Sequence, residues 1–368
     1  MTRIRRQVLD RRQGILAVDL TLEQLRRAAG GLTEPLQAGG LRCHVSYDTR
    51  FMANLFAARI AADLIAAGVS ATLSPAATAL PALYDALNDD QADCCLYLSA
   101  GNAPYYTSGM QLIGSSRSGL RFTDDGAVTD APFPATVDTA LLDLRPAYLN
   151  TLRERVDLDV IRQSTLTCFV DVMGGCTAGM ISGLLAEGGP ARAFEINRER
   201  DAWFAGGAPQ PTQQPLVRLR KLVRESDSQL GIALSGDGSA LAVIDDQGEV
   251  VASHELALAI GGYLAQQQRR RGSIVLPQQL QEPLRGSQEW ARANSSVTLE
   301  FSTDPATAGG EQTLAVLEPD GALRIGRHSD VADGVLAGLL LLELLVRSGG
   351  PLSRLIATQR RLTSTAAG

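Results

Sequence analysis

Strand-like apolar runs that alternate with amphipathic helical stretches predict an α/β protein with largely parallel sheets, because parallel strands need a helical crossover between them. The alternation is present on both sides of roughly residue 150. Punctuation is a further observation. Strand-like runs break off at glycine-bearing turns, once at Gly101 and again at Gly236-Asp237-Gly238.

In order along the chain, residues 41–47 read as a strand and 51–67 as a helix carrying Leu55, Phe56, Ile60 and Leu64 on one face. Residues 70–74 read as a strand, 80–87 as a helix, and Ala92-Asp93-Cys94-Cys95-Leu96-Tyr97-Leu98 as a short buried strand. The Ser-, Gly-, Asp- and Thr-rich stretch 114–131 predicts a hairpin or an excursion within the first domain. Beyond it, 167–171 reads as strand, 178–187 as helix, 191–196 as strand and 214–225 as helix, before two strands about the Gly236 turn. The stretch 277–310 is polar and rich in Gln, Ser and Thr. Residues 335–346 are apolar apart from Glu343, with Leu339, Leu342 and Val346 at helical spacing and Gly349-Gly350-Pro351 as the stop. That run predicts a buried core helix and is too short to span a bilayer.

Composition narrows the classes of function. With 368 residues, 45% hydrophobic and 20% charged, the chain can build two or three domain cores. A net charge of −6 without a dominant basic stripe argues against general nucleic-acid binding, and Arg269-Arg270-Arg271 and the basic run 218–224 read as solvated faces. The five cysteines, Cys43, Cys94, Cys95, Cys168 and Cys176, show no C-x-x-C or Cys/His metal spacing. They read as small buried hydrophobes suited to a reducing cytoplasm. Residues 1–12 are basic yet lack the apolar segment of a signal peptide. A cytoplasmic protein, neither secreted nor membrane-embedded, is expected.

Three loops carry the chemistry-bearing patterns. Ser99-Ala100-Gly101-Asn102-Ala103-Pro104 leads to Gly109-Met110-Gln111-Leu112; a glycine-rich turn with Ser235, Asp237, Ser239 and Ala240 lies between 231 and 244; Leu317-Glu318-Pro319-Asp320-Gly321 forms a third turn. Their layout resembles the α-D-phosphohexomutases, the phosphoglucomutase and phosphomannomutase family. That family's loops read T-A-S-H-N-P followed by G-I-K, then G-I-A-L-D-G-D-G-D-R-L-A-V-V, then G-E-x-S-G. Tyr47-Asp48-Thr49-Arg50 matches its G-Y-D-T-R strand end, Asp171-Val172-Met173-Gly174-Gly175 its second-domain turn, and Phe204 through Pro211 its proline-spaced loop. The resemblance spans residues 8–357. It implies three tandem phosphohexomutase-like α/β domains with mixed, largely parallel sheets, at 1–150, 151–253 and 254–368. It also implies that the family's fourth domain, whose R-x-S-G-T loop clamps the substrate phosphate, is absent.

The resemblance further implies that the chemistry is altered. The family's phosphoryl-carrying serine falls at Gly101, which cannot form a phosphoester. The histidine position is Asn102, the lysine position Gln111, and the N-terminal G-W-R-G becomes Arg11-Arg12-Gln13-Gly14. Of three aspartates that hold Mg²⁺ in the family only Asp237 remains, between Ser235 and Ser239, so no metal cofactor is expected and Asp237 reads as a turn carboxylate. Arg50, Glu318, Gly321 and His328 carry over as substrate-binding residues. A catalytically inactive homologue with a binding, regulatory or assembly role is the expected function. The alternatives are an active or weak hexose-phosphate mutase or phosphatase using Ser99, and a scaffold that binds no sugar. A protein partner or a second copy is expected on the face a fourth domain would close, with weak sugar-phosphate contact and neither nucleic acid nor membrane.

Overall fold

A computed structural model describes residues 5–128, 140–267, 271–284, 290, 294, 296–305, 310, 312–326 and 330–363. The chain divides into two compact units. The first holds the described residues up to Thr151 with Gly174–Cys176 and Glu199–Pro209; the second holds Leu152–Met173, Thr177–Arg198 and the chain from Gln210 onward.

The first unit is built on a five-stranded sheet ordered β1-β5-β4-β2-β3. Its elements are β1 (Arg6–Ile15), α1 (Leu22–Gly30), α2 (Thr33–Ala38), β2 (Cys43–Tyr47), α3 (Ala53–Ala66), β3 (Ala71–Leu73), α4 (Leu80–Asn88), β4 (Cys94–Leu98) and β5 (Thr107–Ser115). Strands β2 and β4 are buried along their whole length, as expected of central parallel strands covered on both faces. Alternate residues serve opposite sides. Cys43, Val45 and Leu96 join a core with Leu25, Phe56 and Ile60, whereas the intervening His44, Ser46 and Tyr97 lie outside that core. Helix α1 starts on a capping box, Thr21 Oγ1 accepting from Gln24 N while Gln24 Oε1 accepts from Thr21 N, worth about 1 kcal/mol. Helix α5 (Arg145–Arg155) carries the chain into the second unit.

The second unit contains two sheets. The first is ordered β10-β9-β8-β6-β7 and uses β6 (Thr167–Asp171), β7 (Arg192–Ile196), β8 (Leu230–Leu234), β9 (Leu241–Asp245) and β10 (Val250–Val251). Helices α6 (Leu158–Gln163), α7 (Met180–Ala186) and α8 (Gln213–Arg224) surround it. The second sheet is ordered β12-β11-β13-β14, with β11 (Gly272–Pro277), β12 (Val297–Ser302), β13 (Thr313–Leu317) and β14 (Leu323–Ile325). Helices α9 (Ser253–Gln267), α10 (Gly334–Ser348) and α11 (Leu352–Thr363) complete the unit. Gly261 lets α9 lie close on β11, since a Cβ there would stand 2.3 Å from Ile274 Cδ1 and force that side chain to move. Helix α10 is the long apolar helix expected from the sequence. Asp333 caps its start by accepting from Leu336 N at 2.9 Å, and Gly349, at φ +65°, ends it. Its Gly338 faces Ile181 and Ile232, so α10 packs on the sheet that holds β8 as well as on α9.

All three sheets are mixed, with a parallel core and an antiparallel strand after it. In each, one loop links the last parallel strand to its antiparallel neighbour: 99–106 between β4 and β5, 235–240 between β8 and β9, and 318–322 between β13 and β14. All three motif loops therefore occupy one topological position. Of the two alternatives expected for 114–131, the described residues 116–128 follow the second, an irregular excursion that buries Leu120 and Phe122, while the rest of that stretch lies outside the described residues. Strand β1, not anticipated, pairs antiparallel with β5 as an edge strand. Among the described residues no single helix is long and apolar enough to cross a membrane.

Candidate functional site

In the first unit, the loop after β4 is held from beneath by Arg50. Only 1% of Arg50 is exposed. Its Nη1 donates to Pro104 O and Thr107 O, both at 2.9 Å, and its Nη2 to Gly101 O and Ala103 O, both at 2.7 Å. Nε lies 3.2 Å from Asp48 Oδ2, an ion pair rather than an aligned hydrogen bond. The Phe204 ring stacks 5.3 Å from the guanidinium carbon. Arg50 was expected to bind substrate; the structure instead commits its planar fork to four loop carbonyls, a geometry only arginine supplies.

The remaining loop residues follow from this clamp. Gly101 takes φ +55°, and a Cβ there would meet nothing within 4 Å, so the turn projects no side chain where the family carries its serine. Ser99 is 1% exposed and its Oγ accepts from Gly101 N at 3.0 Å. As the fallback nucleophile it is therefore a buried brace of the turn. Gly109 permits a close crossing, since a Cβ would lie 2.8 Å from both Arg12 O and Ser99 O. It pairs with Gln13, which is exposed, whereas Gln111 is buried.

The segment Glu199–Pro209 completes this unit's site. Arg200 donates to Thr49 O (3.2 Å) and Arg50 O (3.1 Å), and Tyr105 N donates to Gly207 O at 3.0 Å. Asp201 accepts from Trp203 N (2.9 Å) and Ala205 N (2.7 Å). Those bonds hold two successive non-glycine residues in the left-handed region, Phe204 at φ +44° and Ala205 at φ +55°, a strain of roughly 1–3 kcal/mol each. The turn sends Phe204 inward under Arg50 and leaves Trp203 63% exposed. Trp203 stands 5.2 Å from Tyr105, which meets the half-exposed Tyr106 edge-on at 5.3 Å. Sequence reasoning missed this aromatic group. Tyr105 and Tyr106 sit beside the motif, but nothing in the sequence brings Trp203 to them.

In the second unit, the loop 235–240 closes on itself. Asp237 Oδ1 accepts from Ser235 Oγ (2.9 Å), Ser239 N (3.0 Å) and Ser239 Oγ (2.7 Å), and Ser235 Oγ accepts from Ala240 N at 2.9 Å. Asp237 is thus a turn carboxylate, and it accepts both hydroxyl protons as well as a backbone one. Nearby, buried Asp171 accepts from Asn197 Nδ2 at 3.0 Å on both its oxygens, and burial pushes its carboxyl up. The loop 318–322 is a hairpin turn with Gly321 at φ +89°. Glu318, expected to accept from sugar hydroxyls, is paired with Arg324 Nε at 2.7 Å, and Arg324 Nη2 donates to Pro305 O at 2.6 Å. The pair ties the turn to its own sheet. Buried Ala240, Ala322 and Ala332 pack together, which brings these two loops into contact, and Gly334 N donates to Gly238 O at 2.9 Å. His328 lies outside the described residues.

These residues do not fit Mg²⁺. A hard octahedral cation needs several oxygen ligands, preferably carboxylates, but Asp237, the loop's one carboxylate, is engaged by the loop itself through Oδ1, and Asp171 is buried and bonded to Asn197 through both oxygens. Among the described residues no group of three or more His, Cys, Asp or Glu could hold a metal. Calorimetric titration with Mg²⁺ is expected to be flat through about 5 mM. Saturable micromolar binding that disappears in Asp237→Ala would contradict this.

Comparison with known proteins matches residues 9–126 to phosphoglucomutase/phosphomannomutase, alpha/beta/alpha domain I, and residues 146–248 to domain II of the same family. A phosphoglucosamine mutase of Lacticaseibacillus casei is 25% identical over 340 residues, covering 85% of this chain and 70% of the relative. One from Erythrobacter litoralis is 26% identical over 370 residues, covering 92% and 76%. Among solved structures, a Thermus thermophilus protein assigned to the phosphomannomutases superposes with a TM-score of 0.79 at 22% identity, over 99% of this chain and 85% of that one.

Proposed function

Because the chain belongs to the α-D-phosphohexomutase family, with both matched segments enclosing an altered loop, we propose that it is a hexose-phosphate mutase homologue that does not transfer phosphoryl groups and acts by binding. The observation that carries this reading is Gly101. At the turn where the family presents its phosphoserine there is a bare glycine, and the adjacent hydroxyl, Ser99, is buried and bonded to the turn. Phosphoryl transfer rests on positioning together with charge stabilisation. Neutral amides at Gln13, Asn102 and Gln111 and the self-contained Asp237 loop supply neither.

A coupled assay for interconversion of hexose 1- and 6-phosphates, with and without Mg²⁺, is expected to show no turnover, and intact mass no added phosphate after incubation with a hexose bisphosphate. Gly101→Ser should fold, since its Cβ enters open space, at a cost of about 1 kcal/mol for the left-handed backbone. It should gain no turnover. Steady turnover by the purified protein that is lost in Ser99→Ala would overturn the proposal in favour of the Ser99 chemistry.

A further inference from the structure

The loop of the first unit has lost the chemistry for phosphate but is flanked by three aromatic rings to which the altered motifs assign no task. Trp203 and Tyr106 are exposed, at 63% and 49%, on either side of Tyr105, whose backbone N–H is bonded to Gly207 O. Exposed aromatics of this size are costly to leave in water, and this group is held out against backbone strain: the Asp201-braced turn keeps Phe204 and Ala205 in the left-handed region. Backbone outliers of this kind cluster at functional sites and ligand clamps.

The chemistry around the rings limits the ligand. At the positions where a phosphate ester would require cations, the chain has Gln13, Asn102 and Gln111, and the Arg50 guanidinium is committed to loop carbonyls. What the surface offers is aromatic faces on a loop that also carries the neutral amide of Asn102, Gln111 being buried, which suits a ligand with an apolar ring face and uncharged hydroxyls. Resting on the reading of the chain as a binding homologue of sugar-phosphate enzymes, we propose that Tyr105, Tyr106 and Trp203 form the stacking platform of a site for an unphosphorylated pyranose.

The chain has two tryptophans, and Trp290 is 4% exposed, so the emission of the full-length protein reports Trp203 over a buried baseline. Titration with maltotriose or N-acetylglucosamine is expected to change that emission saturably in the millimolar range, with glucose 6-phosphate binding no tighter than glucose. Tyr106→Ala, which keeps the reporter, should weaken binding by about tenfold, roughly one lost contact, at an unchanged melting temperature. A flat titration with neutral sugars, a phosphorylated sugar binding about tenfold or more tighter than its neutral parent, or a full response in Tyr106→Ala would each overturn the platform. The mutase assay separates this from the reading beneath it. Turnover sinks the inactive homologue whatever Trp203 does, whereas a flat titration without turnover removes only the platform.

Discussion

Arg50→Ala is expected to destabilise the first unit by about 3–5 kcal/mol, the cost of stripping one partner from a buried ionic and hydrogen-bonded cluster. The substitution removes the donors to the carbonyls of Gly101, Ala103, Pro104 and Thr107 and the cation beside the buried Asp48 carboxylate. It also removes the cation over Phe204. Arg50→Lys should recover less than half of the loss, because an ammonium is a point donor and cannot bridge four carbonyls in one plane. Urea denaturation followed by circular dichroism measures both. A shift below about 1 kcal/mol for the alanine variant would mean that the loop is held without the clamp.

Acid should destabilise the same unit through His44, which is fully buried. Its Nδ1 lies 2.9 Å from Thr72 Oγ1 and its Nε2 2.9 Å from Ser74 Oγ; Ser74 in turn donates to Ser46 and accepts from Thr78. Burial pushes the imidazole down to about 4 from its usual 6.5. A histidine pKa lowered by folding favours the neutral form in the native state. The associated stability is complete above the unfolded value of about 6.5, is lost as pH falls from there toward 4, and stays lost below. The full loss is about 3 kcal/mol. His254 is shifted in the same direction by burial, so the contribution of His44 is isolated as the difference from His44→Gln, which cannot titrate. Parallel stability curves for the two proteins between pH 6.5 and 4 would refute the assignment.

The strands at the centre of the sheets were legible in the sequence because burial on both faces leaves an unbroken apolar run, as in 94–98 and 230–234. Strand β1 was not. Its alternation is carried by Arg and Gln; Arg6 reaches Leu87 O and Arg12 lies over Phe122, so charged side chains take contacts that apolar ones usually signal. Helix α9 escaped for the opposite reason, being buried nearly all round, with Gly261 and Gly262 breaking any stripe. The residues that stand at the motif positions, Gly101, Ser235 and Ser239 among them, were readable one by one. The role of Arg50 was not, since an arginine at a strand end looks like a ligand contact until its partners, 51 to 57 residues away in the chain, close over it. The partner of Glu318 was hidden in the same way. That cation, Arg324, belongs to the next strand.

The contact of Ala240 with Ala322 and Ala332 bears on what sequences this fold can reach. Residue 240 is where the family carries an arginine, yet the space around it is filled by two other alanines, and Gly334 comes close enough that a Cβ would lie 2.6 Å from Ala240 O. A long side chain introduced there alone would be overpacked by about 1–3 kcal/mol. Substitutions at 240, 322 and 332 share one contact, so their effects on stability are not expected to add independently. Positions 240, 322 and 332 are in this sense epistatic: what one of them tolerates depends on what stands at the other two.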